Sequence, residues 1–77
     1  MTFTEDVRRY ADAIMAMIKE DQDTGQVPRD VCSWDELDDT VDVGDYYRLA
    51  RMPAGTSAAA ELRNAVNDEV AQRLASG

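Results

Sequence analysis

Asp35, Asp38, Asp39, Asp42 and Asp45 recur about once per helical turn, the spacing that brings side chains onto one side of a helix. On a continuous helix they would rise by roughly 5.4 Å per turn, comparable with the phosphate spacing along a nucleic-acid strand. A basic groove shaped for DNA or RNA is therefore the surface such a row could meet, with ion release and electrostatic steering driving the encounter. The plain alternative is a solvated face that keeps a small protein dispersed. Asp35 and Glu36 suit the start of a helix, where the macrodipole favours anions, whereas Asp42 and Asp45 near its far end gain nothing from it.

Other chemistry finds little purchase. The chain of 77 residues contains no histidine, which removes the commonest general base and every Ser-His or Cys-His pairing. Cys32 is the only cysteine, and its neighbours Asp30 and Asp35 raise a thiol pKa rather than lower it, so no activated nucleophile is expected. The segment Asp21-Gln22-Asp23-Thr24-Gly25 briefly resembles a calcium loop. Its glycine comes one position early, and Cys32 stands where a bidentate carboxylate belongs, so neither a metal site nor any other cofactor is expected. These considerations predict a protein that is not an enzyme and has no catalytic residues.

The charge is partitioned along the chain. Ten of the sixteen carboxylates lie in residues 20–45, where Arg29 is the only cation, giving that stretch a net charge of -9 out of -8 for the whole chain. Direct binding to nucleic acid or to an anionic membrane is opposed by that balance. The longest apolar cluster, Ile14 to Ile18, is too short to span a bilayer, and a lone thiol without a recognisable signal peptide fits a cytoplasmic setting.

Helices must position these groups, since no segment shows the alternation of a strand. Thr2 or Thr4 caps a first helix over residues 5–23, with Glu5 completing a capping box from Thr2 and Val7, Tyr10, Ala11, Ile14, Met17 and Ile18 forming its apolar stripe. Gly25 and Pro28 end it. Ser33-Trp34-Asp35-Glu36 is a second capping box, with Cys32 and Leu37 in the positions of a hydrophobic staple, and it predicts a helix over 34–43 that Gly44 breaks. Trp34, Leu37 and Val41 share its apolar face. Asp45 is expected to cap a short helix over 46–52 whose Tyr46, Leu49 and Ala50 offer apolar contact, and Tyr47, flanked by Arg48 and Arg51, is expected as the exposed aromatic of the binding surface.

Thr56 or Ser57 opens a last helix to about residue 75, carrying Leu62, Ala65, Val66, Val70 and Leu74. Glu69 and Arg73 sit beside that row as an i,i+4 pair. The row either closes the core of the monomer or pairs two chains in a homodimer whose register Glu69 and Arg73 would set. The fold class is thus all-α: one domain over residues 1–77, a compact bundle of three longer helices and one short one.

Residues 27–47 resemble a segment found in small proteins of actinobacteria and their phages and plasmids. The matches are Val27, Pro28, Val31, Ser33, Leu37, Asp39, Val41, Asp42 and Tyr47, with Trp34 in place of another aromatic. At Asp38, Thr40 and Asp45 the pattern has His, Tyr and Asn, so this chain is the more acidic. The resemblance covers about a quarter of the chain and carries over no functional residues. It implies a phage or mobile-element origin, where small acidic proteins that block host nucleic-acid machinery recur. The expected function is therefore a binding protein that sets Asp35, Asp38, Asp39, Asp42, Asp45 and Tyr47 against a basic host protein, in the manner of an anti-restriction or anti-CRISPR DNA mimic. The alternative is a small helical accessory protein that acts through an apolar interface.

Overall fold

The computed structural model describes residues 2–76, which form four helices and no strand: α1 (Phe3–Asp23), α2 (Trp34–Thr40), α3 (Val43–Leu49) and α4 (Ser57–Ser76). Two helices are long and two are short, so the third longer helix expected over 34–43 is cut to seven residues. The radius of gyration, 12.0 Å, is close to the roughly 11.5 Å of a compact chain of this length.

α1 starts on the capping box the sequence predicts. The Glu5 amide donates to the Thr2 hydroxyl at 3.2 Å, and the Thr2 amide donates to the Glu5 carboxylate at 3.4 Å. Ala11, Ile14 and Ile18 then bury completely, one or two turns apart, while Val7, Tyr10 and Met17 pack around them. The helix ends in a left-handed residue, Gly25 (φ 84°), with the Gly25 amide bonded to the Gln22 carbonyl and the Gln26 amide to the Asp21 carbonyl. That pair of bonds satisfies carbonyls that a helix end leaves open. Val27 and Val31 in the following loop return to the core.

α4 lies against α1 and buries Ala59, Leu62, Val66, Val70 and Leu74, spaced three or four residues apart. The Thr56 hydroxyl accepts from the Ala59 amide at 3.0 Å and opens the helix. Of the two uses open to the apolar row, closing the core or pairing two chains, the monomer shows the first: Val66 and Val70 are fully buried, and Leu62 and Leu74 nearly so. Glu69 and Arg73 are likewise an internal device: Arg73 donates to Glu69 at 2.9 Å and also to Asp12, tying α4 to α1. Both acceptors raise the pKa of the Arg73 guanidinium, Asp12 more than Glu69.

The two short helices close the remaining side. Leu37 of α2 is fully buried and Tyr46 of α3 nearly so, but Leu49 is 61% exposed instead of packing beside Tyr46. Trp34 is only half-buried, its ring stacked 6.2 Å from that of Tyr47.

Candidate functional site

Ser33 and Glu36 decide where α2 begins. The Ser33 hydroxyl accepts from the Glu36 amide at 3.2 Å, as expected, but the Glu36 carboxylate reaches past Ser33 to the amide of Cys32, also at 3.2 Å. Its oxygens accept from the Cys32 thiol as well, so Cys32 is exposed and polar in its contacts instead of forming an apolar staple with Leu37. The negative charge of Glu36, with smaller contributions from desolvation, the hydrogen bond and Asp30, pushes the thiol pKa up. A thiol so placed is a weak nucleophile.

α2 ends earlier than its charge pattern suggests. Val41 and Asp42 adopt extended backbone, and the Asp42 carboxylate accepts from the Gly44 amide at 3.0 Å, starting α3. Such a bond from a side chain to the backbone two residues on competes directly with continuing a helix. Gly44 consequently lies within the first turn of α3 instead of breaking α2, and Asp42, not Asp45, is the cap. Asp45 sits in that first turn and pairs with Arg48 at 2.9 Å.

The expected row of five carboxylates is thereby divided. Asp35, Asp38 and Asp39 are exposed on α2, and among the described residues none of them forms an ion pair. Asp42 and Asp45 instead turn toward the end of α1, where with Asp21 they line a cleft of about 360 Å³ floored by Val41 and Tyr46 and edged by Leu49. Tyr46 donates its hydroxyl to Asp21 at 2.6 Å, which locks α3 to the end of α1. Burial first, then that hydrogen bond and the charge of Asp21, raise the Tyr46 pKa far above the ordinary tyrosine value.

Tyr47 is not the exposed aromatic expected. Its hydroxyl donates to Asn67 of α4 at 2.6 Å, the Arg63 guanidinium lies 4.7 Å from its ring centroid, and Trp34 stacks on it. Burial raises its pKa, with the Asn67 hydrogen bond and Arg63 acting the other way. The tyrosine thus clamps α3 to α2 and α4 and holds the acidic face in position. Sequence reasoning missed Asp21 and Leu49 as members of the site and Asn67 and Arg63 as its supports. Asp21 and Asn67 are reached across 25 and 20 residues, and no local spacing encodes such contacts.

Among the described residues no three histidine, cysteine, aspartate or glutamate side chains converge to hold a metal ion. Asp21 is engaged by Tyr46, and Asp23 pairs with Arg29 at 3.0 Å. No helix of the described residues is long and apolar enough to cross a membrane. Comparison with known protein families, curated proteins and solved structures gives no match for this chain.

Proposed function

We propose that this chain is a non-enzymatic binding protein that presents its acidic short helices to a basic, nucleic-acid-binding surface of a host protein. Its most concrete form is an anti-restriction or anti-CRISPR inhibitor of phage or mobile-element origin that acts by partial DNA mimicry. The observation that carries this reading is the state of α2: Asp35, Asp38 and Asp39 are exposed, and no ion pair among the described residues neutralises them. They stand on a helix fixed from behind by a fully buried Leu37. A carboxylate array held rigid by its core contacts loses less freedom on binding than a disordered acidic tail. Asp42 and Asp45 extend the array around the corner into the cleft, so the mimicking surface is a short patch and not a long straight backbone.

Replacing Asp35, Asp38 and Asp39 together by Asn should abolish retention of a basic DNA-binding partner from host lysate, and rising salt should release the same partner from the unaltered protein. Helical circular dichroism should be unchanged by the triple substitution. The exposed side chain of Leu49 favours a second reading, a small accessory protein acting through an apolar contact. Retention that survives the triple substitution and 0.5 M salt (roughly a 4 Å screening length) but is lost in Leu49→Ala would select that reading instead.

A further inference from the structure

α2 and α3 are joined to the rest of the chain differently from the way α1 and α4 are joined to each other. At seven residues each, they are shorter than the roughly 12–15 residues below which an isolated helix is marginal in water, so both depend on what they pack against. Leu37 anchors α2, Tyr46 anchors α3, and Val27, Val31 and Met52 hold the flanking loops. Two side-chain bonds complete the attachment, Tyr46 to Asp21 of α1 and Tyr47 to Asn67 of α4. α1 and α4, of 21 and 20 residues, share the most extensive contact between helices among the described residues.

The electrostatics of the two joints have opposite sign. α1 meets α4 through an attraction, Asp12 with Arg73. α3 meets the end of α1 across a cleft lined by Asp21, Asp42 and Asp45, so closing that joint brings like charges together while Tyr46 and the apolar anchors pull it shut. The surrounding stretch, residues 20–45, carries a net charge of -9 with Arg29 as its only cation. We infer that residues 27–52 form a strap that opens as one unit from an intact α1–α4 pair, and that ionic strength sets how tightly it closes. Opening lies below global unfolding in free energy because it breaks only the anchors of the strap and relieves the repulsion at its joint. Salt screens that repulsion and so tightens the strap. The strap is a property of the free chain and needs no basic partner.

Native-state hydrogen exchange of the full chain tests this, read at the Leu37, Val41 and Ala50 amides of the strap and at the Ile18 and Val70 amides of the long helices. The three strap amides should be less protected by about tenfold or more. They should also lose protection along one shared, shallower slope in urea, since partial opening exposes less surface than global unfolding. Raising sodium chloride from about 0.01 M to about 0.5 M shortens the screening length from roughly 30 Å to roughly 4 Å. Protection of the strap amides should then rise several-fold, referred to a free peptide of residues 27–52 in the same buffer. Two variants separate the units. Tyr46→Phe removes an anchor of the strap and should lower protection of all five amides by about fivefold, the worth of one hydrogen bond. Ala16→Gly, on the exposed face of α1, weakens a helix that stays folded when the strap opens. It should lower protection of Ile18 and Val70 by about fivefold and leave the strap amides unchanged. Equal protection and equal urea slopes at all five amides, an Ala16→Gly effect that reaches the strap, or strap protection that salt leaves unchanged would each overturn the inference.

Discussion

Tyr46 joins two parts of the fold through a single side chain. Its ring is in the core and its hydroxyl ends on Asp21, so it joins the end of α1 to α3 and shapes the cleft floor. Removing the hydroxyl in Tyr46→Phe should cost about 1 kcal/mol at neutral pH, the net worth of one such hydrogen bond. The pH dependence has a definite sign. Because the folded-state pKa is raised, this contribution is complete below the unfolded tyrosine value of about 10 and is lost as pH climbs from there through the folded value. Urea midpoints measured from pH 7 to 11.5 should therefore converge for the two proteins at the alkaline end. Curves that stay parallel above pH 10 would show that the Tyr46 proton is not linked to folding.

The helix ends carry a natural comparison at the scale of elements. α1 and α3 finish with the same hydrogen-bond pattern, a left-handed residue flanked by two amides that return to the last turn: Gly25 and Gln26 at one end, Arg51 and Met52 at the other. Glycine takes that conformation without strain, but Arg51 holds it at φ 61°. An L-residue there is strained by roughly 1–2 kcal/mol, part of which is offset because glycine loses more freedom on folding. Arg51→Gly should accordingly stabilise the protein by about 0.5–1 kcal/mol, and Gly25→Ala should destabilise it by about 1 kcal/mol. Nothing lies within 4 Å of a Cβ built at Gly25, so its penalty comes from the backbone alone. Chemical unfolding of both variants measures the pair of effects, and an Arg51→Gly variant no more stable than the parent would mean that the arginine side chain stabilises the native state.

For the whole molecule, the apolar supply and the charge point the same way. α4 gives Leu62, Val66, Val70 and Leu74 to the core, and the net charge of -8 opposes the approach of a second copy. Sedimentation at micromolar concentration and moderate salt should find the 8.6 kDa monomer. Val70→Glu distinguishes the alternatives sharply: placed in a fully buried position, the carboxylate should abolish cooperative unfolding. In a homodimer held by that row the same change would leave a folded monomer behind. The charge itself is unevenly spread, as the acidic stretch runs from the end of α1 through α3 while Arg73 and Arg63 serve contacts of α4 with its neighbours. The proposed basic partner would therefore be steered toward the short helices.

Local signals in the sequence determined the all-α class, the long helices and most of their ends. The Thr2–Glu5 box, the Ser33 cap, Gly25 and Thr56 act within a few residues, so their spacing reveals them directly. The exposed carboxylates of α2 were legible for the same reason: their charge forbids burial, and Leu37 opposite them is apolar. Tertiary structure alone decided where α2 stops and what the later carboxylates do. Asp42 had two uses of similar local merit, a place in a longer helix or the cap of a new one. The outcome follows the packing of Tyr46 on Asp21 and of Tyr47 on Asn67, Arg63 and Trp34. Contacts across 20 and 25 residues leave no periodic trace in a sequence, because they depend on which faces meet once the helices have packed.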